Sequence, residues 1–117
     1  MYTISEIANR LSSLCADLKF PEAYNELFSE HAESIDPVYG NIPLKGLGKL
    51  IEREEAFLAS TEVHGLSVSA PVFAGNYFSI GMTLDFTPKG QDRKSIEELC
   101  VYKVENGKIV SQQFFIG

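Results

Sequence analysis

The stretch Ala32-Glu33-Ser34-Ile35-Asp36-Pro37-Val38-Tyr39-Gly40 separates a helical N-terminal third of the chain from a β-rich C-terminal half. Within it, Pro37 disfavours the helical conformation at Asp36 and favours an extended backbone there. Residues 33–36 are therefore predicted to form a short strand, followed by a loop that continues to Gly46. Asp36 then stands at a strand end, and it is the one carboxylate of this stretch that we expect to be buried.

Two helices are predicted before this stretch, because apolar residues recur there at spacings of three and four. The first follows a cap at Thr3 or Ser5 and runs to about Leu18. The second begins near Pro21, which suits a first helical turn, and ends near His31. Both helices are expected to pack on one face of the molecule.

A third helix is predicted after the stretch, from about Leu47 to Ala59. Its apolar side consists of Leu47, Leu50, Ile51, Glu54, Phe57 and Leu58. The charged residues Lys49, Glu52, Arg53 and Glu55 are expected to point outward into solvent.

From Val63 onward, apolar and polar residues alternate with a period of two, which is typical of half-buried strands. The predicted strands span residues 63–72, 78–86, 94–105 and 108–116. Asn106-Gly107 is a strong hairpin signal between the last two. The expected architecture is α+β: three N-terminal helices packed on a curved, mainly antiparallel sheet, in a single domain that covers residues 1–117.

Composition excludes several classes of protein. The chain has 117 residues, 44% of them hydrophobic, which suits one compact core. A net charge of -6 without a basic cluster argues against nucleic acids and anionic membranes as partners. No signal peptide or membrane-spanning run is evident, and Cys15 and Cys100 look like free buried thiols, so we expect a cytoplasmic protein. His31 and His64 lack metal-ligand spacing, and neither a metal nor a cofactor is expected.

Several local strings, in this order of elements, resemble the nuclear transport factor 2-like (NTF2-like) superfamily, which includes SnoaL-like polyketide cyclases and ketosteroid isomerases. The most specific string is Asp36-Pro37-Val38 with Gly40 and the later Lys45-Gly46, and Asn106 to Ser111 resembles the family's final hairpin. The resemblance covers nearly the whole chain. It implies a cone-shaped fold with an apolar pocket and Asp36 as a general base.

The resemblance also implies where two hydrogen-bond donors should lie. Ketosteroid isomerases hold the enolate oxygen with a tyrosine on the first helix and a protonated aspartate on the third long strand. In this sequence those positions fall at Leu11 and Cys100, so both donors are missing. Because losing one such donor costs about a hundredfold or more in rate, steroid isomerisation is not expected.

Other polar residues are candidates for the site, each with an alternative. Alternation places Glu98 on the same strand face as Cys100, and the resemblance puts that face in the cavity. Glu98 is then a neutral acid beside charged Asp36, or else a solvated residue at the cavity rim. Asp36 itself could merely cap the loop after Pro37. Gln112 could bind a ligand or satisfy a buried carboxylate. Tyr24 and Tyr39 are hydrogen-bond donors or ordinary core residues.

Apolar residues define the remaining expectations. The cavity wall is predicted to include Met82, Leu84, Phe86, Cys100 and Phe114. Leu99, Val101, Ile109 and Phe115 are expected on the opposite face of the sheet, where they would form a homodimer interface. Two functions fit: an isomerase, cyclase or hydratase that acts on a small apolar carbonyl compound with Asp36 as general base, or a non-catalytic domain for small-molecule binding or dimerisation.

Overall fold

The computed structural model describes all 117 residues of the chain. The helices are α1 (Ile4–Ala16), α2 (Phe20–Leu27) and α3 (Leu47–Ala59), with a short 3-10 turn at Pro37–Tyr39. The strands are β1 (Phe28–Ile35), β2 (Leu44–Lys45), β3 (Thr61–Val68), β4 (Val72–Ala74), β5 (Tyr77–Pro88), β6 (Lys94–Glu105) and β7 (Lys108–Ile116). The three predicted helices on a mainly antiparallel sheet are confirmed, and no helix has both the length and the apolar character needed to cross a membrane.

One sheet of seven strands forms the second layer of the fold, in the order β2-β1-β7-β6-β5-β3, with β4 also paired to β5. Only β1 and β7 run parallel, and the other pairs are antiparallel. The parallel pair brings the start and the end of the chain together, since Ser34 stands opposite Gln112. This register places two buried polar side chains beside each other on neighbouring strands.

Local sequence features explain where α1 and α2 begin. Thr3 caps α1 in a reciprocal arrangement, because its side chain accepts from the Glu6 backbone while the Glu6 carboxylate accepts from the Thr3 backbone at 2.9 Å. Pro21 lies in the first turn of α2, where its missing N–H costs nothing.

The second helix ends earlier than predicted, at Leu27 rather than near His31. Phe28 begins β1 instead, because its backbone pairs with Ile109 of β7 and its ring packs 4.6 Å from the ring of Tyr24. Pairing with a distant strand therefore overrides the helical spacing of Phe28. The predicted single strand over residues 63–72 is also divided, since Ser69 to Pro71 lie outside both β3 and β4.

A bulge at Val110 changes the face of β7. Lys103 pairs with Ser111 but the next residue, Val104, pairs with Ile109, so Val110 is an extra residue on β7. Ile109 is consequently buried completely in the core, and its predicted place on the outer face is wrong. Leu99 and Phe115 do lie on the outer face, opposite each other on β6 and β7, and are 46% and 49% exposed.

Candidate functional site

A cavity of about 370 Å³ lies among the helices and the strands of the sheet. Its wall is mostly apolar, and each of the three helices contributes to it. The apolar part of the wall includes Leu11, Phe20, Phe28, Phe57, Met82, Leu84, Phe86, Ile96 and Phe114. The polar part includes Tyr24, Asp36, Tyr39, Glu54, Glu98 and Gln112. Cavities of this size and character are typical of small-molecule sites.

Asp36 is fixed by the turn that follows β1. Its backbone is extended, and its Oδ1 accepts a hydrogen bond from the backbone N–H of Val38 at 2.9 Å, which caps the 3-10 turn. Gly40 ends this turn in a left-handed conformation with φ of 75°, which glycine adopts without strain. Both interpretations of Asp36 therefore have a structural basis: one carboxylate oxygen caps the turn, and the residue lies on the cavity wall.

Glu98 lies on the cavity wall, on the same face of β6 as Cys100. Burial raises the pKa of its carboxyl group from the usual 4.5 to about 7, and the negative charges of Asp36 and Glu54 add to the rise. The carboxyl group is therefore partly protonated near neutral pH. A neutral carboxyl group can donate a hydrogen bond, which an ionised one cannot.

Glu54 is a third carboxyl group on the wall, although the sequence predicted it only as part of the apolar side of the third helix. Burial raises its pKa to about 7, while the charge of the adjacent Arg53 lowers it and that of Asp36 raises it. The hydroxyl of Tyr24 lies 3.5 Å from its Oε1. A carboxyl group on the apolar side of a predicted helix was the signal that could have identified this residue, because an unpaired charge is rarely buried without a function.

A connected set of polar side chains reaches the cavity from α3. Arg53 donates from Nη2 to the hydroxyl oxygen of Ser34 at 3.0 Å. Gln112 donates from Nε2 to the same Ser34 oxygen at 3.0 Å and to the hydroxyl oxygen of Tyr24 at 2.8 Å. We call these four residues the polar chain. Arg53 was predicted to point into solvent, and that prediction is wrong, because its guanidinium is held over this part of the sheet.

The remaining predicted site residues divide into two groups. Tyr39, Met82, Leu84, Phe86 and Phe114 lie on the cavity wall. Cys100 does not: it is completely buried in the hydrophobic core. Burial also raises the pKa of the Cys15 thiol to about 12, so this wall residue is a poor nucleophile. No group of three or more histidine, cysteine, aspartate or glutamate side chains is arranged to bind a metal ion.

The fold, with three helices over a mainly antiparallel sheet that encloses a cavity, is that of the NTF2-like proteins. The family model of the SnoaL-like domain matches residues 2–116, and the chain belongs to that family. This confirms the resemblance suggested by the residues around Asp36. No curated protein matches the chain.

Solved structures support the same assignment. A candidate SnoaL-like polyketide cyclase from Mesorhizobium loti is 28% identical, with a TM-score of 0.90 over 97% of this chain and 99% of that one. An NTF2-like protein of unknown function from Burkholderia pseudomallei is 11% identical, with a TM-score of 0.81 over 100% of this chain and 92% of that one. A protein from Catenulispora acidiphila with a ketosteroid isomerase-like fold, in complex with trimethylamine, is 16% identical, with a TM-score of 0.74 over 97% and 86%. The last two share only the fold.

Proposed function

We propose that this protein is an enzyme that binds a small apolar carbonyl compound in the cavity and catalyses its isomerisation or cyclisation, with Asp36 as the general base. The family supports this class of reaction, and the 28% identical protein from Mesorhizobium loti carries the description of a candidate polyketide cyclase. The apolar wall suits a substrate with a large hydrocarbon part, because burial of apolar surface would supply most of the binding free energy.

The observation that carries the proposal is the placement of three carboxyl groups, those of Asp36, Glu54 and Glu98, on one mostly apolar wall. The negative charge of Asp36 helps to raise the pKa values of Glu54 and Glu98, which burial brings to about 7. Glu54 and Glu98 are therefore partly protonated near neutral pH, and a protonated carboxyl group can donate a hydrogen bond on the wall that also carries Asp36. Carboxyl groups whose pKa values are shifted by burial in a cavity are typical of sites of acid and base catalysis.

The chemical step follows from this arrangement. Asp36 takes the proton from the carbon next to the carbonyl group, and the electrons of that C–H bond form the enolate. Neutral Glu98 donates a hydrogen bond to the oxygen on which negative charge develops. In isomerisation, Asp36 returns the proton to another carbon of the same molecule. In cyclisation, the enolate carbon attacks a second carbonyl group, whose oxygen then receives the proton.

Hydrogen–deuterium exchange tests the proposal without knowledge of the natural substrate. The protein is incubated in D2O with a panel of aromatic and polyketide-like ketones, and NMR follows exchange beside each carbonyl group. We expect exchange in the wild type and at least a hundredfold loss in Asp36→Asn, because general base catalysis contributes about 10² to 10⁴ in rate. The matched control is Asp92→Asn, which changes an exposed aspartate and should leave exchange intact.

Two outcomes contradict the proposal. Equal exchange in the wild type and in Asp36→Asn would show that Asp36 is not the base. A ketone that raises the melting temperature of both proteins but exchanges in neither would support the non-catalytic alternative, a cavity that binds a small molecule.

A further inference from the structure

The amide of Gln112 determines the direction of the hydrogen bonds along the polar chain. Its Nε2 donates one hydrogen to Ser34 at 3.0 Å and the other to Tyr24 at 2.8 Å. Ser34 also accepts from Arg53, whose guanidinium has no acceptor atom. The donors of the chain are therefore directed from Arg53 and Gln112 toward the two hydroxyl oxygens.

This direction leaves the hydroxyl hydrogen of Tyr24 available to a third group. The Tyr24 oxygen accepts from Gln112, so its own hydrogen must point away from that amide. The acceptor nearest to it is Oε1 of Glu54 at 3.5 Å, which is at the outer limit for a hydrogen bond. Tyr24 lies on the cavity wall, so an acceptor atom of a bound molecule can take the hydrogen at a shorter distance.

We propose that Tyr24 donates a second hydrogen bond to the carbonyl oxygen of the substrate, beside that of Glu98, and that Gln112 is a positioning residue that fixes the Tyr24 hydroxyl in this orientation. The inference rests on the proposed function, because it assigns an oxygen donor for the same carbonyl compound. Tyr24 and Gln112 are only 5% and 3% exposed, so the donor is held in a dry part of the site, where a hydrogen bond to developing charge is strong.

Two other tyrosines of the wall serve this role less well. Tyr39 is 44% exposed, and water competes with a ligand for its hydroxyl. Tyr102 is as buried as Tyr24, but its ring stacks 4.9 Å from that of Phe78, and none of its hydroxyl contacts belongs to the polar chain. Tyr102 thus provides a matched control: the same substitution, in the same cavity, on a second buried tyrosine.

Infrared spectroscopy of a bound ketone tests the assignment directly. The probe is 2-acetylnaphthalene labelled with carbon-13 at its carbonyl carbon, and its hydrocarbon isostere, 2-isopropenylnaphthalene, is the reference ligand. A hydrogen bond lowers the C=O stretching frequency. We expect a lowered frequency in the wild type and in Tyr102→Phe. The lowering should be clearly smaller in Tyr24→Phe, where only Glu98 still donates, and broadened and weaker in Gln112→Met, where the hydroxyl is present but no longer oriented.

Affinities give a second readout. Tyr24→Phe should weaken binding of the ketone about tenfold, the effect of losing one good hydrogen bond, and leave binding of the isostere unchanged. A frequency shift that is as large in Tyr24→Phe as in the wild type overturns the inference. So does a Gln112→Met protein with a sharp, wild-type carbonyl band, which would mean that the amide is reversed and does not orient the hydroxyl.

The outcomes separate this inference from the proposed function. If exchange depends on Asp36 but the carbonyl frequency shift does not depend on Tyr24, the proposed function is supported and the inference about Tyr24 is overturned. A shift that depends on Tyr24 without any exchange would support the inference as a binding contact and overturn the catalytic function. A wild-type protein that binds no ketone up to its solubility limit overturns both.

Discussion

The guanidinium carbon of Arg53 lies 4.2 Å from the centre of the ring of Tyr39, a residue of the turn that follows Asp36. The same guanidinium donates to Ser34 in β1 at 3.0 Å. One side chain of α3 therefore contacts both β1, the strand that ends just before Asp36, and the turn that Asp36 caps. Through this contact, the position of α3 and the position of the candidate base are connected.

Substitution of Arg53 tests that connection. Arg53→Met removes a charged hydrogen bond and a cation–π contact, and we expect a loss of about 2 kcal/mol in the free energy of unfolding. The charge of Arg53 also lowers the pKa of Glu54, which burial raises to about 7, so this pKa should rise further in Arg53→Met. Urea denaturation and a carbon-13 NMR titration of the Glu54 carboxyl group measure the two effects.

Arg53→Lys is the matched control, because it keeps the positive charge but lacks the planar guanidinium. The pKa of Glu54 should stay closer to the wild-type value in this variant. An unchanged Glu54 pKa in Arg53→Met would mean that the two groups do not interact.

Stability should fall with rising pH because of Glu54. Its folded pKa of about 7 lies above its usual 4.5, so between these values the unfolded chain releases a proton that the folded protein retains. Retention of this proton contributes about 3 kcal/mol to the free energy of unfolding. The contribution is fully present below about pH 4.5 and is lost once the pH has risen past 7. Glu54→Gln should reduce the slope of melting temperature against pH between pH 5 and pH 8, and the slope that remains is the contribution of Glu98, whose pKa is also raised to about 7.

The neighbouring exposed residue provides the control for this experiment. Glu55→Gln also removes one carboxyl group from α3, but it should leave the pH profile of the wild type unchanged. If Glu54→Gln and Glu55→Gln have the same profile, the carboxyl group of Glu54 is not perturbed by burial.

Asp36→Asn should lower the pKa values of both Glu54 and Glu98. Burial is the main cause of both shifts, and the charge of Asp36 adds to each. We therefore expect both pKa values to decrease but to remain above 4.5. Carbon-13 NMR titration of glutamate-labelled protein measures both pKa values. If they do not change in Asp36→Asn, the charge of Asp36 does not act on Glu54 or Glu98.

The outer face of the sheet leads to a prediction about assembly. Leu99 and Phe115 stand opposite each other on neighbouring strands and are about half exposed, and we propose that they belong to a homodimer interface. Leu99→Lys should then shift the protein toward the monomer in sedimentation velocity experiments. Glu97→Lys, on the same face of β6, changes charge without removing apolar surface and controls for repulsion. A wild-type protein that is monomeric at high concentration contradicts this proposal.

Much of the fold could be predicted because local patterns and tertiary pairing agree. The predicted ranges of α3, β6 and β7 match the structure, since their periodicity, the Asn106-Gly107 turn and the packing favour the same conformation. The predictions failed where distant strands decide the conformation. Phe28 fits a helical stripe but pairs with β7, and no local signal marks the extra residue at Val110.

The candidate site was only partly predictable. Alternation along β6 and β7 grouped Glu98 and Gln112 on one face, because side chains two apart share a face, and the family resemblance placed that face in the cavity. Ser34 and Arg53 could not be connected from sequence, since their contact depends on how α3 lies against β1. Glu54 was identified as part of an apolar helix face. Its burial and raised pKa could not be predicted, because they depend on the residues of other elements that surround it in the cavity wall.

The bulge at Val110 has an evolutionary consequence. Because this one extra residue turns Ile109 toward the core and still lets Gln112 face the cavity, deletion of a single residue here would exchange the two faces along the end of the strand. Ser34 would then lose its amide partner although every residue of the polar chain remained in the sequence. Insertions and deletions should therefore be rejected at this point of β7 by natural selection, while nearby surface loops tolerate them.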